Sequence, residues 1–335
     1  LKEKHVEYVE IRVDLFEDHK EGIPLVKKLK NAGLKSVVTI RPEWEGGGYK
    51  LDDEGRELIF LQYLNEGPDL MDLELDTDHI VRSDLIEKAG REGVQVIISH
   101  HDGYQTPTAA AILKKARECF DEGCDIAKMV YRTEKMSDVL ELVKASRMLN
   151  TTGNKFSLMG TGPFGDMTRV LAPFLGSEMV YSYVGDPVVE GQVDLDSLNG
   201  IWGVDEGMCI GPDSRLYGII GYPVSHSISP LMHNFAFREK GINSIYIPFR
   251  VKKRDLGVLM DIFRELEIEG FNVTIPHKKD IMRHLGEVDE IACNIGAVNT
   301  VLNEFGTFKG YNTDSAGALL SIEDSGVDLG NVRKA

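Results

Sequence analysis

Short apolar segments alternate with amphipathic segments through roughly the first 200 residues. Segments rich in branched and aromatic residues indicate strands, and they lie at 8–14, 36–41, 70–75, 94–99, 125–130, 155–159 and 179–184. Segments whose apolar residues recur three and four positions apart indicate helices, and the clearest are 23–31, 107–122 and 136–149. Alternation of strand and helix at this spacing is typical of a parallel sheet.

The two faces of the first predicted strand favour a closed barrel over an open sheet. Glu10 and Arg12 share one face of that strand, and the aliphatic residues between them share the other, because successive side chains alternate. A polar inner face with helices outside is the arrangement of (β/α)8 barrels. Such a barrel needs eight strands and the pattern indicates seven. We therefore expect either an error in this count or a first strand upstream of Leu1.

A break in the pattern near residue 211 predicts two domains, 1–211 and 212–335. Gly211-Pro212 interrupts the chain, and a glycine followed by a proline commonly marks a loop. Beyond it we predict strands at 216–220, 245–249 and 271–275, helices at 230–240 and 255–267, and a hairpin around 304–306. This pattern is typical of a small mixed α/β domain.

Composition argues against several classes of partner. The chain has 335 residues, of which 38 are basic and 54 acidic, and its net charge of −16 disfavours nucleic acid and anionic membranes. No apolar run approaches the length of a membrane span, and the first residues lack a signal-peptide pattern, so we expect a cytoplasmic protein. The cysteines form no CxxC pair, which favours reduced thiols over a metal site; they are Cys119, Cys124, Cys209 and Cys293. The oligomeric state is left open.

Two residues of the first domain are candidates for covalent and acid–base chemistry. Lys128 lies in an apolar strand, and burial there is expected to lower its pKa, which leaves a neutral amine able to attack a ketone. His101 follows another apolar strand, and we expect His100 to point to the opposite side because side chains alternate. One inward imidazole suits proton abstraction beside a Schiff base and does not suit a paired metal site. Taken singly, each residue is also compatible with an ordinary lysine at a strand end or a loop histidine.

Several charged motifs at predicted strand ends are similar to those of one enzyme family. They are Glu10-x-Arg12-x-Asp14, Arg41 followed by Glu45-Gly46-Gly47, Ser99-His100-His101-Asp102, Lys128, and Met167-Thr168-Arg169. In order and spacing they resemble the type I 3-dehydroquinate dehydratases. The resemblance implies a (β/α)8 TIM barrel that needs neither metal nor organic cofactor. Since that family begins with one more strand, we expect this sequence to be trimmed at its N-terminus.

The resemblance also implies roles for individual side chains. Lys128 would form an imine with the substrate ketone, His101 would remove the adjacent proton, and Glu45 would orient His101. Substrate binding is implied for further residues, namely Arg169 at the carboxylate, and Glu10, Arg12, Arg41 and Gln192 at the ring hydroxyls. Val188 stands where the family has a serine, so we expect weaker binding by the loop that covers the substrate. For each of these polar residues taken singly, a surface ion pair is the alternative.

A glycine motif in the first domain allows a second interpretation. Residues 160–165 read Gly-Thr-Gly-Pro-Phe-Gly after a predicted strand and match the GxGxxG pattern of dinucleotide-binding sites, for which Asp186 would have to supply the ribose carboxylate. The motif follows the sixth strand of a continuing βα series, and the dehydratase resemblance uses the same loop to carry Arg169. We therefore favour a barrel loop.

Four segments of the second domain are similar to a different family. They are Gly221-Tyr222-Pro223-Val224-Ser225-His226-Ser227-Ile228-Ser229-Pro230, Asn272-Val273-Thr274-Ile275-Pro276-His277-Lys278, Gly296-Ala297-Val298-Asn299-Thr300 and Gly310-Tyr311-Asn312-Thr313-Asp314. Together they resemble the substrate domain of shikimate dehydrogenases. The resemblance implies substrate binding by Ser227, Ser229, Thr274 and Asn299, and a catalytic pair of Lys278 and Asp314. Ser229 also fits a helix N-cap with Pro230 at the first helical position, and Lys278 with Asp314 also fits a structural ion pair.

The resemblance implies a nicotinamide cofactor that this sequence is not expected to bind. Shikimate dehydrogenases continue into a dinucleotide-binding domain for NADP(H), whereas the sequence stops at residues 331–335. No cofactor-binding residues are therefore predicted, and hydride transfer is expected only in a longer protein.

Three functional hypotheses follow. The first is a bifunctional enzyme of the shikimate pathway that dehydrates 3-dehydroquinate to 3-dehydroshikimate and, in a longer protein, reduces the product to shikimate with NADPH. The second is a non-catalytic regulator that senses quinate or shikimate with the same domains. The third is another lysine Schiff-base enzyme, such as an aldolase, which the second domain disfavours. Small-molecule substrates are the expected partners in the first hypothesis.

Overall fold

The computed structural model describes residues 4–50, 52–203, 210–224 and 226–326. The chain divides into two compact units, Leu1–Pro212 and Asp213–Ala335. Cys209 and residues 331–335 lie outside the described residues, and Cys119, Cys124 and Cys293 are free thiols. Within the described ranges, no helix is both long and apolar enough to cross a membrane.

The first unit is built on a parallel sheet of six strands. They are hydrogen-bonded in chain order as β1 (Tyr8–Arg12), β2 (Lys35–Thr39), β3 (Leu70–Glu74), β4 (Gln95–Asp102), β5 (Ile126–Arg132) and β6 (Lys155–Thr161). Ser99 on β4 lies beside Lys128 on β5, and Lys128 lies beside Ser157 on β6. This register puts Lys128 between two short hydroxyl side chains.

Helices connect the strands, as parallel pairing requires. They are α1 (Ile23–Asn31), α2 (Asp53–Leu64), α3 (His79–Glu92), α4 (Ala109–Asp121), α5 (Met136–Asn150), α6 (Gly165–Leu171) and α7 (Leu195–Trp202). Several begin at a side-chain cap; Asp52 accepts a hydrogen bond from Gly55 N at 2.9 Å at the start of α2. The three helices predicted in this unit are confirmed, although α4 begins after the Thr108 cap, two residues later than expected.

The two faces of the sheet differ as the sequence predicts. Met71 and Leu73 of β3 and Met129 of β5 pack in the apolar core, whereas the alternate residues Asp72 and Lys128 are buried charged groups. A sheet with helices outside and charges inside is that of a (β/α) barrel. The predicted fold class is confirmed, with six strands of such a barrel among the described residues.

The seventh predicted strand, residues 179–184, is wrong. In this segment Tyr183 makes only an isolated bridge with Asp194. Its backbone is bound by side chains instead, since Met179 N donates to Ser157 Oγ at 3.1 Å and Tyr181 O accepts from Arg169 Nε at 3.2 Å. The segment is apolar enough for a strand, but these bonds occupy the groups that a ladder would use.

The second unit is a six-stranded mixed sheet in the order β10-β12-β11-β9-β7-β8. Its strands are β7 (Arg215–Gly221), β8 (Ser244–Arg250), β9 (Gly270–Val273), β10 (Glu287–Val288), β11 (Thr300–Glu304) and β12 (Thr307–Tyr311), and its helices are α8 (Ser229–Glu239), α9 (Leu256–Glu265), α10 (Glu290–Ile295) and α11 (Asp314–Asp324). The predicted hairpin joins β11 to β12 through Phe305 and Gly306, which have φ of 54° and 88°. Two positive φ values are typical of a type I′ turn.

The predicted N-cap of α8 is wrong by one residue. Ile228 occupies the cap position, Ser229 is the first helical residue, and the side chain of the cap residue makes no hydrogen bond to the helix. The Ser227 hydroxyl accepts a hydrogen bond from Ser229 N at 3.3 Å. This bond satisfies one of the free N–H groups at the start of the helix, so a cap by Ser229 itself is not needed.

Candidate active site

Lys128 is a buried ammonium surrounded by acceptors. Its side chain is 5% exposed, and Nζ donates a hydrogen bond to Asp72 Oδ2 at 2.8 Å. Glu10 Oε1 lies 3.6 Å from Nζ, and the centre of the Tyr181 ring lies 4.0 Å from it. These contacts hold the amine in one place on the polar face of the sheet.

The expected lowering of the Lys128 pKa is wrong. Burial does act to lower this pKa, but the attraction of Asp72, and then of Tyr181 and Glu10, outweighs burial and raises it. The sequence around Lys128 is apolar, and the counter-charge comes from β3, 56 positions away. The resting amine is therefore protonated at neutral pH and has to lose a proton before it can attack a ketone.

Arg41 binds two carboxylates of β3 and a hydroxyl of β4. Nη2 lies 3.0 Å from Asp72 Oδ2, and Nη1 donates to Glu74 Oε1 at 2.7 Å and to Ser99 Oγ at 2.8 Å. Burial acts to raise the pKa of Asp72, but Arg41 and Lys128 together hold it far below its usual range. Asp72 is therefore an ionised, buried carboxylate that neutralises both cations.

His101 and Glu45 form a buried acid–base pair. His101 Nδ1 lies 2.7 Å from Glu45 Oε2. Burial, followed by repulsion from Arg41 and Lys128, lowers the pKa of His101 well below its ordinary value. Burial also raises the pKa of Glu45 to about 8, assisted by Glu74 and Asp72 and opposed by Arg41. When Glu45 loses its proton, its carboxylate can accept a hydrogen bond from the Nδ1–H of a neutral His101, which leaves Nε2 free to act as a base.

The expectation that His100 stands apart from this pair is only partly right. Its ring lies against Tyr131, 6.0 Å between centroids, and Tyr131 belongs to the apolar core. Yet His100 Nδ1 also lies 3.9 Å from Glu45 Oε1. Strand alternation separates the two imidazoles, but Glu45 comes from the short 3-10 turn Glu43–Glu45 after β2 and lies near both.

The cluster around Lys128 consists of Lys128, Asp72, Glu10, Arg41 and Tyr181, and two predicted substrate-binding residues, Glu10 and Arg41, belong to it. Glu10 and Arg41 contact Lys128 and Asp72 as described above. Arg12 is instead paired with Asp14, at 2.9 Å from Nε and 2.7 Å from Nη2. The same carboxylate accepts a hydrogen bond from Gly48 N at 3.0 Å. Arg12 therefore holds Asp14 in place, and Asp14 in turn binds the loop that follows Glu45.

Arg169 and Gln192 hold loops in this structure. Arg169 Nη1 donates to the carbonyls of Gly160, of Gly165 at 3.2 Å and of Gly191 at 2.8 Å. Gln192 Oε1 accepts from Val188 N at 2.7 Å and from Val189 N at 3.3 Å. Arg169 reaches the Lys128 cluster only through its bond to Tyr181 O.

The glycine motif at 160–165 is a barrel loop. Gly162 N donates to Glu190 O at 2.9 Å and Gly165 N donates to Gly162 O at 3.0 Å. A Cβ added to Gly165 would lie 3.0 Å from the Gly191 Cα. The cradle that would receive a pyrophosphate is thus filled by the chain itself, and these residues do not fit a dinucleotide.

Sequence reasoning missed Asp72 and Tyr181. A signal for Asp72 exists in Leu70-Met71-Asp72-Leu73-Glu74, where two carboxylates occupy alternate positions of an apolar strand. Acidic residues on one face of a buried strand need counter-charges, which predicts contact with the cationic residues of neighbouring strands. Tyr181 gave no such signal, because it lies in the segment that was expected to be a strand.

The second unit brings three predicted residues together. Lys278 Nζ donates to Asp314 Oδ2 at 2.5 Å, and Asn299 Nδ2 donates to Asp314 Oδ1 at 2.7 Å. The hydrogen bond from Lys278 is the main reason that the pKa of Asp314 is lowered. Asn299 also accepts from Thr313 N at 2.9 Å, which fixes the start of α11 and hence Asp314.

The other predicted residues of this unit lie around the ends of β7 and β9. Ser227 is hydrogen-bonded to Ser229 N, as noted above. Thr274 N donates to Ile220 O at 3.0 Å, and its methyl group would meet a Cβ placed on Gly221 at 2.6 Å. Thr274 therefore lies beside the end of β7, where the loop carrying the two serines begins.

Family models match both units. The model for "Type I 3-dehydroquinase" matches residues 1–208. The chain belongs to this family. The model for "Shikimate dehydrogenase substrate binding domain" matches residues 219–301. The two resemblances drawn from the motifs are confirmed by these matches.

Curated and solved relatives agree with the two matches. The chain is 32% identical over 329 residues to "Bifunctional 3-dehydroquinate dehydratase/shikimate dehydrogenase, chloroplastic" of Arabidopsis thaliana, covering 94% of this chain and 52% of the relative. It is 50% identical over 111 residues to "Shikimate dehydrogenase (NADP(+))" of Methanococcus maripaludis strain C6, covering 33% of this chain and 40% of the relative. The chain also matches a crystal structure of 3-dehydroquinate dehydratase from Aquifex aeolicus VF5, with 26% sequence identity and a TM-score of 0.53. The match covers 59% of this chain and 88% of the Aquifex chain. The chain spans about half the length of the first of these relatives.

Proposed function

We propose that the first unit dehydrates 3-dehydroquinate to 3-dehydroshikimate through an imine on Lys128. The observation that carries this proposal is the pairing of a buried amine on β5 with an imidazole–carboxylate pair at the end of neighbouring β4. The charge of Lys128 helps to lower the pKa of His101, so the two groups are within electrostatic reach of each other. Membership of the type I 3-dehydroquinase family supports the choice of substrate.

In this proposal His101 carries the proton that the substrate carbon loses, and the proton released by the Lys128 ammonium passes to solvent. The Lys128 amine, after losing a proton, attacks the ketone carbon, and loss of water from the adduct gives a protonated imine. His101 Nε2 takes the proton from the adjacent carbon, and the electron pair moves toward the imine nitrogen. The electrons then return to expel the β-hydroxyl, which leaves as water with the proton from His101. Hydrolysis of the imine releases product and restores Lys128.

The polar groups around Lys128 suit this sequence of steps. Asp72 is ionised and 2.8 Å from Nζ, so it stabilises the cationic imine as it stabilises the ammonium. Glu45, once ionised, stabilises the imidazolium that forms when His101 takes a proton. No metal is required by these steps, because the imine itself accepts the electron pair.

Borohydride trapping tests the proposal directly. Reduction in the presence of 3-dehydroquinate should add one substrate-derived mass per chain, on the peptide that contains Lys128. Lys128→Arg should show neither the added mass nor turnover, and Lys155→Arg, which changes an exposed lysine on the next strand, should show both. A wild-type enzyme that turns over without labelling at Lys128 would refute the imine.

Turnover, measured alongside the trapping, separates an enzyme from a sensor. A regulator that only senses the ligand would bind 3-dehydroquinate without producing the conjugated product, whose ultraviolet absorbance is easily followed. The intact pairs Lys128–Asp72 and His101–Glu45 favour the enzyme.

We propose that the second unit binds 3-dehydroshikimate or shikimate with the pair Lys278 and Asp314 beside the reacting oxygen. The support is the 2.5 Å contact of this pair, its hydrogen bond to Asn299, and the match to the substrate-binding domain model. In a longer protein with a bound NADP(H), which would supply or accept hydride, this pair would move a proton at the substrate oxygen. The glycine motif at 160–165 does not fit the cofactor, as described above, so no hydride step is assigned to it.

A cytoplasmic setting and small carboxylate substrates complete this proposal. The net charge of −16 disfavours polyanionic partners. Both proposed substrates are small carboxylates, which local arginine and lysine side chains can bind despite the overall charge.

A further inference from the structure

Three side chains at or just after the C-terminal ends of β2, β3 and β4 converge on one point. The ligand atoms of Glu45, Asp76 and His100 all lie within 4.8 Å of one another. His100 Nδ1 lies 3.9 Å from Glu45 Oε1 and 3.9 Å from Asp76 Oδ2. These distances are too long for hydrogen bonds. They are close to the spacing of about 3.4 Å between the ligands of a tetrahedral zinc ion with bonds of about 2.1 Å.

Two of these atoms are buried without a partner. Among the described residues, none gives Glu45 Oε1 or His100 Nδ1 a hydrogen bond. The Glu45 side chain is only 3% exposed, and its other oxygen is bound to His101. Buried polar atoms without a partner are uncommon, and a water or an ion between these two atoms would satisfy both.

Access also suits a cation, and the charges around the cluster act in both directions. The Asp76 side chain is 60% exposed, so an ion can reach the cluster from solvent at this side. The carboxylates of Asp76, Asp102 and Glu118 act on the His100 ring in favour of positive charge, and the ammonium of Lys115, which is paired with Glu118 at 2.8 Å, opposes each of them more strongly. Arg41, whose Nη1 lies 3.5 Å from Glu45 Oε2, opposes the cation from the other side.

We propose that Glu45, Asp76 and His100 bind one divalent transition-metal ion, with Zn²⁺ as the best fit. One imidazole and two carboxylates are donors that Zn²⁺ accepts, whereas Mg²⁺ and Ca²⁺ prefer oxygen ligands alone. Bound there, the ion holds Glu45 through Oε1 and draws negative charge away from Oε2. Glu45 then stabilises the His101 imidazolium less well. The ion is therefore an inhibitor of the proposed dehydration and has no part in it.

Binding is tested on the tag-free full chain, stripped with EDTA, by calorimetric titration with Zn²⁺ at pH 8. One site per chain is expected. His100→Ala and Asp76→Asn should each weaken it at least tenfold, which is the lower end of the loss seen even for groups that only support a ligand. Glu118→Gln is the matched control, since it removes a nearby carboxylate that is not a ligand, and it should weaken binding less than threefold. Unchanged affinity in both ligand variants would overturn the site.

Inhibition is tested separately and rests on the proposed function of the first unit. Zn²⁺ should slow dehydration of 3-dehydroquinate, and EDTA should restore the rate. His100→Ala and Asp76→Asn should retain turnover and require at least tenfold more Zn²⁺ for the same inhibition. If Zn²⁺ binds through these residues without slowing turnover, the inhibitory part is wrong and the site stands. If the chain has no dehydratase activity at all, the calorimetry still decides the site.

Discussion

Asp72 Oδ2 lies 2.8 Å from Lys128 Nζ, and both side chains are almost completely buried. The contact joins the middle of β3 to the middle of β5 across β4. It means that the amine proposed as the nucleophile is stored as an ammonium. Loss of this proton is therefore a step of the mechanism. Removal of Asp72 should change the pH at which the ammonium loses it.

Asp72→Asn should lower the pKa of Lys128, because it removes the opposite charge that contributes most to raising it. Because Asp72 raises this pKa in the folded protein, imine formation should begin at lower pH in the variant. Cyanoborohydride trapping across a pH series, read by mass spectrometry, measures this. Turnover should nevertheless fall, because the cationic imine loses its counter-charge.

Glu10→Gln is the control for that experiment. Glu10 is 3.6 Å from Nζ and contributes less than Asp72 to the raised pKa. Its trapping profile should move in the same direction by a smaller amount. Identical profiles for wild type and Asp72→Asn would contradict the assignment of Asp72 as the main counter-charge.

The His101–Glu45 pair predicts a pH dependence for dehydration. The pair acts as a base only after Glu45 is ionised, and burial raises the Glu45 pKa to about 8. Protonation of Glu45 should therefore make kcat/KM fall by up to a further tenfold per pH unit below about 8, in addition to the fall that protonation of Lys128 imposes across the neutral range.

Glu45→Gln should remove this acid limb and leave a lower, flatter profile. Glutamine can still accept a hydrogen bond from Nδ1, but it carries no charge to stabilise the imidazolium, so kcat should drop by about 10²-fold or more. Asp102→Asn, a carboxylate that binds the backbone of residues 104 and 105, should keep the wild-type limb. If the Glu45→Gln variant still showed an acid limb near pH 8, that limb would belong to a group other than Glu45.

Glu74→Ala should destabilise the first unit by about 3 to 5 kcal/mol. Glu74 is buried between Arg41 and Arg56 and forms an ion pair with each, and its loss leaves two buried cations without this partner. Urea unfolding followed by tryptophan fluorescence measures the change. The chain has two tryptophans, Trp44 and Trp202, and both lie in this unit.

Glu178→Ala is the matched control for Glu74→Ala. Glu178 pairs with Lys155 at 2.6 Å on the surface, where a single ion pair contributes about 0 to 1 kcal/mol. A similar loss of unfolding free energy in both variants would show that the buried network contributes no more than a surface pair.

Lys278→Ala should separate binding from chemistry in the second unit. In a longer protein that contains the NADP(H) domain, the variant should lose far more in kcat for 3-dehydroshikimate reduction than in affinity for the substrate. Asn299→Ala, which removes the hydrogen bond to Asp314 and a proposed substrate contact, should affect both. Equal losses in kcat and affinity for Lys278→Ala would count against proton transfer by this residue.

Local patterns in the sequence were enough to predict three helices of the first unit, six of its strands and the positions of most charged groups. Helix α1 occupies the predicted residues 23–31, because a proline near its start and apolar residues at helical spacing are local signals. Lys128 could be found as a candidate because it lies within an apolar strand, and His101 because it follows one. The motifs around them, with those of the second unit, were sufficient to indicate both families.

The charge states of those groups depend on contacts that form only in the folded protein. The apolar sequence around Lys128 predicted a lowered pKa, and Asp72, 56 positions away, raises it. The prediction of a seventh strand was wrong for a similar reason, since the backbone of residues 179–184 is bound by the distant side chains of Ser157 and Arg169. Periodicity and propensity act between neighbours in sequence, whereas charges and hydrogen bonds act between neighbours in space. Folding alone brings Asp72 to Lys128, and Glu45 to both His100 and His101.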